Sequence, residues 1–231
     1  MSLVELESLL AAATDDQRRA VFALLRDRYG LRIHPLEERW NTTAEAILDA
    51  IDQSADLTQR GIRGVLAEAT FRTTVLPKRL TSWKPLPVVG DQPFDLMLDD
   101  GSGPVRVQVK LQRRESGVPK YHRKTTDHFV VETQRTRGGR RRDQEASRPY
   151  RVDEFDVLAV CLHPSTGSWT EFFYCATRDL LVRPTEPTLL AVMQPFPVAG
   201  SNAWSADFGN AVKRFRLGRD AFPSGIDKPV L

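Results

Sequence analysis

The sequence predicts an α/β or α+β fold: a mixed central sheet of about five strands flanked by helices, with an N-terminal helical extension. Three observations predict it. Residues 2 to 71 carry helix caps and apolar residues at helical spacing. Residues 94 to 112, FDLMLDDGSGPVRVQVKLQ, read as a β-hairpin. Two later apolar runs, DVLAVCL (156 to 162) and WTEFFYC (169 to 175), have the length and composition of strands.

The helices come first. Leu3, Leu6, Leu9 and Leu10 have helical spacing. Thr14 with Gln17 forms a capping box that opens a second helix, with Val21, Leu24 and Leu25 on its apolar face and Gly30 at its end. Pro35 and the polar run 37 to 43 separate this helix from the next. Thr42 with Glu45 is read as another box, opening a helix through about Ile51. The span Asp56 to Phe71 is one more helix. Its stripe Ile62, Val65, Leu66 and Ala69 is expected to face the core, and Gly61, Gly64 and Glu68 share the adjacent face. Each glycine costs roughly 1 kcal/mol against alanine and lets a backbone or substrate come close. These breaks place an N-terminal helical region at 1–55 and the main domain at 56–231.

Strands follow. Leu86 to Val89 contains Pro87, which lacks a donor, so this run is an edge strand at best. Phe94 to Leu98 leads through a turn at Asp99 to Pro104 into a strictly alternating strand. Val105, Val107, Val109 and Leu111 line one face; Arg106, Gln108, Lys110 and Gln112 line the other. His128 to Gln134 is a further strand, Ser165 to Ser168 a turn, and Thr177 to Leu181 a short helical piece. Beyond Arg183, proline, glycine and aromatics predict an irregular, extended tail.

Composition narrows the functional classes. The net charge of +3 over 231 residues hides an asymmetry. Residues 106 to 151 hold 14 Lys and Arg against 5 Asp and Glu, and the rest of the chain is acidic. A basic block in an acidic chain suits a polyanion, because each phosphate neutralised releases counterions. Gln112, Arg113, Arg114, Lys120, Arg123 and Lys124 follow the alternating strand and are candidates for backbone contacts with DNA. Arg137, Arg140, Arg141 and Arg142 are candidate phosphate clamps; Gln134, Arg135 and Arg137 are candidates for base contacts. No apolar run of about 18 residues predicts a membrane span. The start MSLVELESLL is acidic and amphipathic rather than a leader, and Cys161 and Cys175 read as free buried thiols, so a cytoplasmic location is expected.

The hairpin also carries chemistry. Gln108 and Lys110 fall side by side on one strand face, and pairing of the two runs brings Asp95 beside them. A carboxylate, an amide oxygen and a lysine at a sheet edge can hold a hard divalent cation next to a phosphodiester. This arrangement resembles the PD-(D/E)xK nuclease superfamily, which includes many type II restriction endonucleases. The matching residues are Pro93, Phe94 and Asp95, then Gln108, Val109 and Lys110. Phe94 separates the proline from the aspartate, and Gln108 stands where Asp or Glu is usual; the superfamily tolerates both changes.

The resemblance implies a restriction-endonuclease-like core over about residues 56 to 182. It implies Mg²⁺ held by Asp95, the Gln108 side-chain oxygen, the Val109 carbonyl and Glu68 from the preceding helix. Lys110 would face the attacking water or the scissile phosphate. The implied activity is hydrolysis of double-stranded DNA at a specific sequence by a homodimer, since one site cuts one strand, with a DNA methyltransferase as functional companion. A structure-directed, homing, repair or transposon-end nuclease of the same fold is one alternative. A DNA-binding protein with an inactive nuclease fold is another.

Overall fold

A computed structural model describes residues 2–123, 126–135, 149–201 and 203–217. The chain divides into two compact units, residues 1–59 and 60–231.

In the first unit, helix α1 is Leu3–Ala12, α2 Asp15–Tyr29, α3 Pro35–Arg39 and α4 Ala44–Asp52. Caps set these limits. The Thr14 side chain accepts from Gln17 N, and Gly30 closes α2 at φ 66°, where a glycine costs least. The box expected at Thr42 does not form: Thr43 is the N-cap and accepts from Ala46 N, while Glu45 pairs with Arg26. Helix α3 was not expected. Its start combines a proline in the first turn with a His34 cap, which sequence reading took for a separator.

Glu37 ties this turn together. It is 2% exposed, and its carboxylate accepts from the backbone N–H groups of Ile33 (2.6 Å), His34 (3.1 Å) and Ala44 (3.0 Å). The His34 amide, with those of Ala44 and Ile33, holds the Glu37 carboxyl below its ordinary 4.5. A depressed carboxylate contributes stability above its unfolded value, and that contribution is lost as pH falls through the folded value. Glu37→Gln is therefore expected to lower Tm at pH 7 and to flatten the loss of stability below about pH 4.5. Equal acid sensitivity in both proteins would contradict this.

The second unit is built on a six-stranded sheet. Helix α5, Asp56–Thr70, runs into a π-helical turn at Phe71–Val75 and the short α6, Leu76–Arg79. The β-branched run Thr73-Thr74-Val75 disfavours a regular α-helix there. Strands β1 (Lys84–Leu86), β2 (Leu96–Asp99) and β3 (Pro104–Leu111) form an antiparallel meander. The small strands β4 (Arg114–Glu115) and β5 (Val118–Pro119) pair with each other, and β6 is His128–Glu132. Strand β7 (Val157–Cys161) then returns parallel to β3. Helix α7 is His163–Thr166, and β8 (Phe172–Ala176) pairs antiparallel with β7. A 3₁₀ turn at Thr177–Asp179 is followed by β9 (Val182–Arg183), β10 (Glu186–Leu190), β11 (Met193–Pro197), β12 (Trp204–Ser205) and α8 (Phe208–Leu217). The sheet order is β1-β2-β3-β7-β8-β12, a mixed sheet with its single parallel pair at β3 and β7.

Both faces of β7 are buried, as expected for a strand at the middle of a covered sheet. Val157, Ala159 and Cys161 meet Ala67, Phe71 and Val75 from the helical layer and Phe208, Ala211 and Val212 from α8. Leu158 and Val160 face Phe129, Val131, Phe155 and Phe196 on the opposite side. Expected strand 128 to 134 forms as β6 but joins β11 outside the central sheet.

Two expectations are corrected. The α5 stripe does not face the core: Val65 and Leu66 are 65% and 44% exposed, and Ala67 is buried instead. The face shared by Ala67, Phe71 and Val75 packs on the sheet, one step round the helix from the expected stripe. A Cβ on Gly61 or Gly64 would meet nothing within 4 Å, so no neighbouring backbone requires these glycines. The tail is not irregular over 184 to 201 and 203 to 217. The Asp207 carboxylate caps α8 by accepting from Gly209 N at 2.7 Å, and Arg214 anchors it through Asp179 at 2.8 Å. The cap and the spacing of Phe208, Ala211, Val212 and Phe215 were the available signals. No described helix is long and apolar enough to cross a membrane.

Candidate functional site

The register of the hairpin builds the site. Leu96 pairs with Val107, so the face of β3 that carries Gln108 and Lys110 is the face Asp95 shares one residue before β2. Regular pairing stops at Leu96. Asp95 N still donates to Val107 O at 3.0 Å, which shows that the peptide groups of the odd residues of β3 point toward β2. The Val109 N–H therefore lies on that edge with no strand opposite, and the Asp95 carboxylate takes it at 2.7 Å. Gln108 Nε2 donates to the same oxygen at 2.5 Å and to Val109 O at 3.3 Å. Three groups of the predicted set thus meet at one spot, on a strand held in parallel register by β7.

Lys110 projects two residues further on. Its Nζ donates to Gln134 O at 3.3 Å and stands 5.3 Å from the centroid of the Tyr150 ring. Glu68 reaches the opposite side from α5. It pairs with Arg72 at 2.8 Å, and Arg72 also donates to Asp95 O at 3.4 Å. Glu68, Arg72, Phe94 and Asp95 line a cleft of about 530 Å³ that also borders β1 and the segment leading to β2.

The electrostatics follow from burial. Asp95 is pushed up to about 6, first by burial and then by the Glu68 charge, against the Val109 N–H, Lys110 and Arg72. Burial also pushes the Lys110 ammonium down, against the carboxylates of Asp95, Glu132 and Glu68. A carboxyl moved from 3.8 to about 6 costs the folded state up to about 3 kcal/mol once it is ionised. That cost enters as pH rises between those values, because the folded protein gives up the proton later than the unfolded chain. Asp95→Asn removes it. The variant is expected to melt higher than wild type at pH 8, with the gain shrinking below about pH 6 and gone near pH 3.8. Equal melting at pH 8 would show that neighbouring cations already compensate the charge.

Of the seven described residues expected at DNA, six make contacts within the fold. Gln112 is 1% exposed, and its Oε1 accepts from Ser165 Oγ at 2.8 Å, so it is an interior residue rather than a DNA contact. Arg113 is ion-paired with Glu132, Lys120 with Glu115 at 2.6 Å, and Arg135 with Glu154. Gln134 Nε2 donates to Glu132, and Arg114 Nε to Gly117 O at 3.1 Å. Arg123 is exposed, at φ 55°. Lys124, Arg137, Arg140, Arg141 and Arg142 lie outside the described residues. A count of basic residues does not see Glu115, Glu132 and Glu154 folded against them. Sequence reading also passed over Arg72, Glu132 and Tyr150. Tyr150 had a faint signal, an aromatic next to Pro149 at the end of the basic run.

Among the described residues no group of three or more His, Cys, Asp or Glu side chains stands ready for a metal ion. Any cation here would draw on amide and backbone oxygens beside Asp95 and Glu68. No family model matches the chain, and no curated protein matches it. Among solved structures it is similar to a bacterial homing endonuclease, I-Ssp6803I, at 24% sequence identity over 51% of this chain and 68% of that one, with a TM-score of 0.34. A likeness of that size carries no structural argument.

Proposed function

We propose that this protein is a Mg²⁺-dependent endonuclease that hydrolyses double-stranded DNA at a specific sequence, a type II restriction endonuclease acting as a homodimer in the cytoplasm beside a DNA methyltransferase. The observation that carries the reading is the meeting of Asp95, the Val109 peptide and Gln108 at the frayed end of the hairpin, with Lys110 next on the same strand face and Glu68 lining the same cleft as Asp95.

The donor set fits Mg²⁺. Its candidate ligands are the hard oxygens of Asp95, Glu68, Gln108 and Val109. The Glu68 charge raises Asp95, so a cation between the two would relieve a repulsion already present. When bound, Mg²⁺ would supply charge stabilisation at the phosphate and a more acidic water. Asp95 and Glu68 orient that end of the cleft. Gln108 donates to Asp95 and Val109, and the opposite end of its amide is an acceptor. Lys110, with one N–H on Gln134, offers its others to the phosphate oxygens on which negative charge grows as water oxygen bonds to phosphorus and the ester oxygen leaves.

The reading is tested by incubating the purified protein with a long unmethylated duplex, with Mg²⁺ or with EDTA, and sequencing the ends. Discrete metal-dependent fragments sharing a terminal sequence are expected. Random ends would favour a structure-directed, homing, repair or transposon-end nuclease. A tight complex that ignores Mg²⁺ and yields no product would favour an inactive DNA-binding protein.

A further inference from the structure

Tyr150 lies far from Lys110 in the chain and is buried, with 4% of its surface exposed. Its backbone is fixed by Leu190 N, which donates to Tyr150 O at 2.8 Å, and the Phe155 ring packs against its ring in a T-shaped arrangement at 5.3 Å and 87°. Its neighbour Pro149 bridges Gln134, and Gln134 O is the acceptor for Lys110 Nζ. Two chain segments therefore close on one ammonium, Gln134 from one side of the connection and Tyr150 from the other. The Arg135 guanidinium stands 5.7 Å from the same ring centroid, with its charge balanced by Glu154.

An ammonium that must serve a substrate has to be held without exhausting its three N–H donors. A second carbonyl or a carboxylate would hold it by taking a donor. An aromatic face attracts the charge through its quadrupole and demands no particular N–H direction. With one donor on Gln134 O, two remain for phosphate and water.

We propose that Tyr150 is the positioning residue for Lys110: its ring face holds the ammonium, with Gln134 O, while leaving two donors uncommitted for substrate. The proposal rests on the nuclease reading of the site. It predicts that the π face matters and the hydroxyl does not.

Single-turnover DNA cleavage and DNA affinity, measured on a series at position 150, test it. Tyr150→Phe is expected to cleave within about twofold of wild type. Phenylalanine analogues with one, two and three ring fluorines keep the shape and drain the face. They should slow cleavage stepwise, reaching about tenfold or more, with DNA affinity unchanged. Tyr150→Leu should be at least as slow, and the fluorine series decides the matter if that variant fails to fold. A flat series, or Tyr150→Phe as slow as Tyr150→Leu, overturns the role of Tyr150 while wild-type cleavage still supports the nuclease reading. A wild type that cuts no DNA overturns both.

Discussion

Lys110→Ala is expected to slow DNA cleavage by about 10²–10³-fold or more while DNA affinity stays near wild type. The size follows from what the ammonium does. On the nuclease reading it is a half-buried ammonium facing the phosphate, and a group fixed before the reaction is worth more there than in water. Binding should survive, because affinity for a duplex comes from many phosphate contacts rather than from one half-buried lysine. Asp95→Ala is expected to lose activity to at least the same degree, since Asp95 both meets the Val109 peptide and sits on the candidate cation position. Single-turnover rates and a binding titration check both variants. A Lys110→Ala enzyme that cuts at the wild-type rate would remove the lysine from the site.

The second large effect is on stability. Asp156→Ala is expected to cost about 3 kcal/mol in denaturant unfolding, with Asp156→Asn recovering part of it. Asp156 is 4% exposed and opens β7. Its Oδ2 accepts from the Arg106 backbone N–H at 2.7 Å and from Nε at 3.1 Å, and its Oδ1 from Nη2 at 2.6 Å. Removing it leaves the Arg106 backbone N–H, Nε and Nη2 without their acceptor, while Nη1 keeps Asp153 O at 2.7 Å, and such unsatisfied donors cost more than the lost bond alone. The pair lies just before the parallel register of β3 on β7, which positions Gln108 and Lys110. Arg106 is about a third exposed on its side chain, which keeps the figure below that of a fully buried pair. Unchanged unfolding would mean that water replaces the carboxylate at no cost.

The hairpin and its chemical face were legible because they are local. The turn Asp99 to Pro104, the period-two alternation and the position of Asp95 together dictate a register, and the structure has it. Helix α2, marked by its capping box and Gly30, was legible for the same reason. What depended on distant parts of the chain was not. β6 finds its partner in β11, which no local pattern announces. Gln112 continues the polar face of β3 in sequence, yet the fold covers it and gives it Ser165. The basic block reads as one surface in the sequence, and the fold spends Arg113, Lys120 and Arg135 on carboxylates. The apolar stripe of α5 is a regular helical pattern, and the packed face is the one next to it.

The most direct test of the site is a side-by-side Mg²⁺-dependent cleavage measurement on wild type and Asp95→Asn. This variant is expected to be the more stable protein at pH 8, so lost activity cannot be lost folding. The account predicts duplex cleavage by wild type with Mg²⁺, none with EDTA, and none by Asp95→Asn under either condition. Cleavage by Asp95→Asn at the wild-type rate, or a wild type that leaves every duplex intact, would contradict it.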